Sequence, residues 1–297
     1  MDDRRPAISL VAVAGKRQQA LDAATEADRR GFAGIACPSL GGAMGLCVSL
    51  AHVTETIPFW TSIQPIYLAN AQETAVLAGH ISEISGGRFT LGLGVSHGPV
   101  HQRLGLAVGR PLADTRAYVE AIRASREPSL PPIALATLRD KMLELATEIS
   151  DGAIWANAAR SAMAPQLARV PAAKKDGFFL ANMIPTVIDE DRAAAEAIHK
   201  RTLTGYVSLP NYRNYWKQVG YVEEMEAVEK ALATDPKSVP DVMSGAWLRD
   251  CTLSGSASEV RDGIAEWWEL GVTPIAVMSS TSGGQIKALQ QLFEAYD

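Results

Sequence analysis

Short runs of apolar and β-branched residues alternate with longer amphipathic stretches along most of the chain. A short apolar run between turn residues is typical of a buried strand, and apolar positions three and four residues apart are typical of a helix. The alternation predicts an α/β protein in which helices connect parallel strands. We predict eight strands, at residues 8–13, 34–38, 59–66, 89–95, 133–137, 153–156, 178–186 and 274–279.

Local signals at helix ends support this interpretation. The helix predicted for residues 71–84 stops at the Ser-Gly-Gly sequence of 85–87, because glycine adopts the left-handed conformation of a helix end at little cost. The last long helix begins after Ser256, whose spacing to Glu259 is that of a capping box, and ends at Gly271. Both helices fit between predicted strands.

The segment 202–246 interrupts the alternation, because it is too long for one connection between strands. We predict an insertion of extra helices there, within a single domain that spans residues 1–297. The insertion is rich in aromatic residues, which we interpret as packing or subunit contacts rather than ligand contacts. These residues are Tyr206, Tyr212, Tyr215, Trp216 and Tyr221.

Eight units of this kind either close into a (β/α)8 barrel or form an open, doubly wound sheet, and the pattern allows both. In a barrel, the residues that act on a ligand lie where the strands end and the following loops begin. Chemically unusual residues follow five of the predicted strands, at 37–39, 62–64, 94–97, 137–139 and 155–157. We expect these five strand ends to form one pocket.

Composition and charge exclude several classes of protein. Hydrophobic residues make up 47% of the chain and charged residues 21%, which is typical of a globular protein with a large core. The net charge of -5 and the lack of basic clusters argue against a nucleic-acid partner, and no apolar stretch is long enough to cross a membrane. The three cysteines lack metal-binding or disulfide spacing, so we expect reduced thiols and a cytoplasmic protein.

Glycines near the fourth predicted strand invite a dinucleotide-binding interpretation. Gly92, Gly94 and Gly98 follow one another closely, but their spacing differs from that of the nucleotide-binding fingerprint. We also predict no helix before Pro111, so no helix N-terminus would lie under a phosphate. Close packing at the end of a strand explains these glycines better.

Two histidines follow the same strand. His97 and His101 are four residues apart, a spacing that places two metal ligands on one face of a helix. Gly98 and Pro99 lie between them and indicate a loop, so we expect no metal site. His97 at a strand end is either a proton donor or a hydrogen-bonded loop histidine.

Several stretches resemble the signature of the bacterial-luciferase-like superfamily. The clearest is Leu-Ala-Gly-His-Ile-Ser-Glu-Ile-Ser-Gly-Gly-Arg-Phe-Thr-Leu-Gly-Leu-Gly-Val-Ser-His at 77–97. Residues 205–212 resemble an actinobacterial branch that uses an 8-hydroxy-5-deazaflavin, coenzyme F420, instead of FMN. The other similar stretches are 61–67, 110–120, 138–146 and 151–152.

The resemblance implies a (β/α)8 barrel, a homodimer, and hydride transfer between coenzyme F420 and a small organic substrate. It also implies a non-proline cis peptide at Ser62-Ile63, behind the cofactor ring. The loop after the fifth strand would hold the cofactor's phosphate and tail. The implied cofactor-binding residues are Ser62, Ile63, Gln64, Gly94, Ser96, Ala136, Thr137, Leu138, Arg139 and Trp155.

One departure from the family pattern affects the assignment of the proton donor. Relatives often carry an acidic residue or a histidine just after the second strand, where this chain has Ser39. We therefore assign the proton to His97, with Ser39 as a helper. Two alternatives remain: an FMN-dependent monooxygenase that works with a flavin reductase, and a noncatalytic barrel that binds the cofactor without turning it over.

Overall fold

A computed structural model describes residues 4–38 and 42–297. Its strands are β1 (Ala7–Ser9), β2 (Gly34–Cys37), β3 (Phe59–Thr61), β4 (Gln64–Pro65), β5 (Phe89–Gly94), β6 (Ile133–Ala136), β7 (Gly152–Ala156), β8 (Phe179–Ile188), β9 (Leu253–Gly255) and β10 (Thr273–Ser279). Its α-helices are α1 (Arg17–Arg29), α2 (Ala43–Val53), α3 (Ala71–Ile84), α4 (Gly98–Leu104), α5 (Pro111–Arg123), α6 (Asp140–Ile149), α7 (Met163–Leu167), α8 (Ala172–Lys175), α9 (Arg192–Val207), α10 (Pro210–Gln218), α11 (Val222–Thr234), α12 (Gly245–Cys251), α13 (Ala257–Glu269) and α14 (Gln285–Ala295).

The strands form a closed parallel barrel. The strands pair in the order β1-β2-β3-β5-β6-β7-β8, while β4 pairs with β5 and β9 pairs with the end of β8. Strand β10 closes the sheet because Ile275 is paired with Ala7 of β1 on one side and with Met183 of β8 on the other. The fold is therefore a (β/α)8 barrel, and the open-sheet alternative is wrong. All eight predicted strands are confirmed, with the third divided into β3 and β4.

Side chains alternate between two apolar layers. One set of alternate residues fills the interior of the barrel, and the other packs between the barrel and the surrounding helices, in what we call the outer core. In β7, for example, Ile154 belongs to the interior and Trp155 to the outer core. The interior layer consists of Ala7, Ala36, Trp60, Ala134, Ile154, Ala181 and Ile275.

The predicted helix ends are confirmed. Helix α3 covers residues 71–84, and α13 begins with a complete capping box in which Ser256 accepts from the Glu259 N–H while Glu259 accepts from the Ser256 N–H. Gly271 follows α13 with a φ of 76°. Of the described helices, none is long and apolar enough to cross a membrane.

Helices occupy the segment predicted as an insertion. Its first residues belong to α9, and α10, α11, a 3-10 helix (Pro236–Val242) and α12 follow. The aromatic residues Tyr212, Tyr215 and Trp216 of α10 are buried. Strand β9, which was not predicted, comes after α12 and pairs with the end of β8.

The expectation of a loop between His97 and Pro111 is wrong. Helix α4 begins at Gly98, and His97 is its N-cap residue. Pro99 is the second residue of this helix, a position where its missing N–H costs no hydrogen bond. His101 lies inside the helix, and its Nε2 is 2.6 Å from the carbonyl oxygen of Val95.

Candidate active site at the mouth of the barrel

The carboxyl ends of the strands, with the loops that follow them, form what we call the mouth. At the end of β3 the Ser62-Ile63 peptide is cis, as the family resemblance implies. The Ser62 N–H donates to the carbonyl oxygen of Cys37, the last residue of the neighbouring strand β2, at 2.7 Å. The Ile63 side chain lies next to β5.

The floor of the mouth is built from small residues. A Cβ added to Gly94 would lie 2.8 Å from the Cβ of Ala136 and 3.0 Å from two side-chain carbons of Ile63. One layer deeper, a Cβ on Gly92 would lie 1.9 Å from the Thr61 carbonyl oxygen. These glycines let neighbouring strands approach closely, and Gly94 leaves a flat cradle between Ile63 and Ala136.

Buried polar atoms without a hydrogen-bond partner collect at the ends of four neighbouring strands. Within the described part of the chain, these atoms are Ser62 Oγ after β3, His97 Nδ1 after β5, Thr137 Oγ1 after β6 and Asn157 Nδ2 after β7. Buried polar groups in proteins nearly always have partners, so such a group calls for a specific explanation. A polar ligand in the mouth would supply the missing partners.

His97 follows a turn that redirects the chain out of β5. Ser96 has a φ of 63°, a left-handed conformation that is uncommon for residues other than glycine. The His97 ring is half-buried, and its centroid lies 5.8 Å from that of the Tyr212 ring. Burial, and secondarily repulsion by His101, lowers the pKa of His97 below its ordinary value. The imidazole is therefore neutral at neutral pH.

The loop after β6 places a positive end of a helix beside the mouth. Arg139 is exposed and is the N-cap residue of α6, and the Leu138 carbonyl accepts from Gln166 Nε2 at 3.2 Å. Asp140, the first residue of α6, is ion-paired with Arg169 at 2.7 Å. The N–H groups of the first turn and the Arg139 guanidinium together favour an anionic group.

Two predicted site residues do not fall at the mouth, and a third is not described. Trp155 is fully buried in the outer core, on the opposite face of β7 from the interior residues, and we remove it from the cofactor set. Gln64 lines a groove of about 410 Å³ on the outside of the barrel, beside α3, so it is removed as well. Ser39 lies outside the described residues.

Two residues of the mouth were not assigned to the site from the sequence, although Asn157 was placed at a strand end. Asn157 has a φ of 57° and is held by its neighbours, because its N–H donates to the Met183 carbonyl and its carbonyl accepts from Trp216 Nε1. Tyr212 was interpreted as a packing residue, although it lies in the stretch that resembles the F420 branch. Its contact with His97 depends on how α10 folds back onto the barrel, which no local pattern reveals.

The closed barrel with its polar mouth defines the class as a (β/α)8 barrel whose site lies at the strand ends. The chain belongs to the luciferase-like monooxygenase family, whose family model matches residues 7–274. The superfamily inferred from the sequence is thereby confirmed.

Three similar proteins cover most of the chain. It is 26% identical over 280 residues to the 5,10-methylenetetrahydromethanopterin reductase of Archaeoglobus fulgidus, covering 81% of this chain and 82% of that protein. It is also 26% identical over 296 residues to a Mycobacterium tuberculosis protein provisionally named a coenzyme F420-dependent oxidoreductase, covering 80% and 83%. A coenzyme F420-dependent tetrahydromethanopterin reductase from Methanopyrus kandleri has the same fold, with a TM-score of 0.76, 18% identity and 97% coverage of both chains.

Proposed function

We propose that this protein is an oxidoreductase that transfers a hydride between coenzyme F420 and a small organic substrate. The names of its relatives support this activity, and their similarity extends over most of the chain. The observation that carries the proposal is the mouth, where unpartnered polar atoms surround a floor of small residues. This arrangement suits a flat heterocycle with polar edges.

Two groups of residues at the mouth suit two parts of the cofactor, its tricyclic ring and its anionic tail. The tricyclic ring would rest on Ile63, Gly94 and Ala136, and Ser62 and Thr137 would offer their free hydroxyls to its polar edge. When bound, coenzyme F420 supplies a carbon centre that donates or accepts a hydride.

The loop after β6 would hold the anionic tail of the cofactor. Leu138 and Arg139 precede the first turn of α6, whose N–H groups and partial positive charge favour a phosphate. Ser96, at the neighbouring strand end, contributes backbone that shapes the mouth. The carboxylate of Asp140 is compensated by Arg169.

His97 would move the proton that accompanies the hydride. In reduction, a protonated His97 supplies the proton to the substrate, so the rate falls as pH rises through the pKa of His97. In oxidation, the neutral ring takes the proton, so the rate rises with pH through the same pKa. Because burial lowers this pKa, the neutral ring predominates at neutral pH and favours the oxidative direction. Ser39 as a helper remains a prediction.

Titration by fluorescence quenching tests the choice of cofactor. We expect saturable binding of coenzyme F420 and none of FMN at comparable concentrations. Replacing Arg139 by glutamine should weaken F420 binding about tenfold, the effect of losing one charge-assisted hydrogen bond. The matched control is Arg116→Gln, which changes an exposed arginine that is ion-paired with Glu148 on the outer helices.

The family description favours one rival, an FMN-dependent monooxygenase. Saturable FMN binding, together with oxygen consumption when reduced FMN is supplied, would replace our proposal with this rival. Tight binding of F420 without hydride exchange to any acceptor would instead indicate a noncatalytic barrel.

We also propose that two copies of the chain associate through α3. Val76 and Leu77 are large apolar side chains that remain exposed on this helix, beside the groove lined by Gln64. Light scattering should give the mass of a dimer, and Leu77→Asp should give that of a monomer. The free thiols of Cys37, Cys47 and Cys251 suit a cytoplasmic location.

A further inference from the structure

We infer that Tyr212 is a positioning residue that fixes the His97 imidazole at the mouth, an inference that rests on the role proposed for His97. The two residues are far apart in the sequence, and the contact exists only because α10 packs over the strand ends. It gives the helical insertion a part in the chemistry of the barrel.

Helix α10 turns one aromatic face toward the barrel. Tyr212, Tyr215 and Trp216 are spaced so that they share this face, and all three are buried. Tyr215 accepts a hydrogen bond at its hydroxyl from the Ala159 N–H at 3.0 Å, and Trp216 donates from Nε1 to the Asn157 carbonyl at 3.3 Å. The face is therefore fixed to the loop that follows β7.

The opposite face of α10 is held by charged contacts. Arg213 donates from Nη1 to the Val207 carbonyl at 2.6 Å, which ties α10 to the end of α9. Glu229 of α11 accepts from Arg213 Nε at 3.2 Å and from Lys217 Nζ at 2.7 Å. With both faces held, α10 presents the Tyr212 ring in a defined place.

Packing against Tyr212 orients the His97 ring. Its Nδ1 is buried and has no hydrogen-bond partner within the described residues, so no hydrogen bond to Nδ1 from these residues sets the angle of the ring. The Tyr212 ring lies against it, with centroids 5.8 Å apart and planes 54° apart. Tyr206 and Trp216 support Tyr212 from behind, at 5.0 and 5.5 Å between centroids.

Tyr212 also affects the protonation of His97. The titratable groups that face His97 among the described residues are His101, one turn along α4, and Tyr212 on α10, with Tyr206 behind it. Burial raises the pKa of both tyrosines, so these phenols are neutral wherever the histidine titrates. The tyrosine ring excludes water from His97 without adding charge, and this exclusion favours the neutral imidazole.

NMR titration of the cofactor-free protein tests the contact directly. The chain has five histidines, so labelling the ring Cε1 with carbon-13 gives few signals, and His97→Ala identifies that of His97. We expect Tyr212→Ala to raise the pKa of His97 toward the ordinary histidine value of about 6.5. Tyr212→Phe keeps the ring and should leave the titration as in the wild type.

Tyr221→Ala is the matched control for loosening of the insertion. Tyr221 lies in the same insertion but contacts Asp250, through its hydroxyl at 2.7 Å, instead of His97. An unchanged His97 titration in Tyr212→Ala, or the same shift in Tyr221→Ala, overturns the inference. If Tyr212→Ala does not fold, Tyr212→Phe still tests the inference, because this variant retains the packing of the ring. A shifted His97 titration in Tyr212→Phe would contradict a role for the ring alone.

Steady-state kinetics separate this inference from the proposed function. In Tyr212→Ala, the pH at which the rate changes should move upward in parallel with the NMR titration, and turnover should fall about tenfold because the proton is less well placed. If His97→Ala retains full turnover, the proposed role of His97 fails, while the NMR comparison still decides whether Tyr212 fixes the ring.

Discussion

The interior layer and the mouth are built by the same strands but are filled in different ways. The interior layer is apolar and closely packed, and Trp60 in it meets Phe179 at 4.9 Å between ring centroids. Among the residues that the structure describes, the Trp60 indole N–H is one polar group in this layer without a hydrogen-bond partner. At the mouth, one layer higher, four neighbouring strand ends each carry a polar group without a partner in the same part of the chain.

This difference separates stability from binding. Burying apolar surface in the interior layer stabilises the fold by about 25 cal/mol for each Å² removed from water. Each buried polar group without a partner opposes folding by about 1–3 kcal/mol. The mouth is therefore the part of the barrel that a bound polar ligand stabilises, and substitutions in the two layers should have different effects.

The largest expected effect is on turnover, at the mouth. His97→Ala should lower turnover by about 100- to 10,000-fold, which is the usual contribution of a positioned acid or base. Affinity for coenzyme F420, measured by fluorescence quenching, should remain nearly that of the wild type. His52→Ala, at an exposed site on α2, is the control and should change neither quantity. Full turnover in His97→Ala would remove this residue from the mechanism.

Two glycines of β5, one layer apart, compare the regions most directly. Gly92→Ala should destabilise the protein by about 4 kcal/mol or more, because the new Cβ would collide with the Thr61 backbone. Gly94→Ala would press on the Ala136 Cβ and the Ile63 side chain instead of on backbone, so it should cost less stability than Gly92→Ala and should weaken cofactor binding. Urea denaturation and fluorescence titration measure the two effects. Equal losses of stability would contradict the division into layers.

Much of the fold could be predicted because it depends on local patterns. The eight barrel strands follow from apolar runs, and the end of α13 follows from Gly271. Strand β9 was missed because Leu253–Gly255 is short and becomes a strand only by pairing with the end of β8. Helix α4 was missed because Gly98 and Pro99 are poor helix formers inside a helix, whereas here they occupy its first turn.

The site was harder to predict than the fold. A strand end can be located in a sequence, but the face on which a side chain emerges depends on the register of the barrel. Trp155 and Gln64 were placed at the mouth for this reason, although the first faces the outer core and the second a groove beside α3. The contact between Tyr212 and His97 required the tertiary structure.

A third region, between α9 and β9, shows what an unpartnered group does away from the mouth. His199 Nε2 lies 3.1 Å from the Leu253 carbonyl, its Nδ1 is buried without a described partner, and burial lowers its pKa to about 4. The unfolded state binds this proton below about pH 6.5, so the free energy of unfolding should fall as pH decreases from 6.5 to 4 and change no further below that.

Substitution isolates this contribution. His199→Gln keeps a donor for the Leu253 carbonyl but has no titrating proton. The free energy of unfolding of this variant should therefore fall less on acidification than that of the wild type. The difference between the two proteins should reach about 3 kcal/mol at pH 4, measured by urea denaturation across the pH range. Parallel stability curves would show that His199 is protonated without cost and that burial alone does not distinguish it from an exposed histidine.

The smallest expected effect concerns a glycine outside the barrel. Gly205 is exposed on α9, and a Cβ placed there would meet no atom within 4 Å. Gly205→Ala should therefore stabilise the protein by about 0.5–1 kcal/mol, because alanine loses less backbone entropy in a helix. Gly271→Ala is the control of opposite sign: its Cβ would also meet no atom, but its φ of 76° disfavours any side chain, and the variant should lose about 1 kcal/mol. Thermal unfolding of these two variants and of Gly92→Ala would separate three kinds of glycine position: one in open space, one with a left-handed backbone, and one in close packing. Only the closely packed position belongs to the barrel interior.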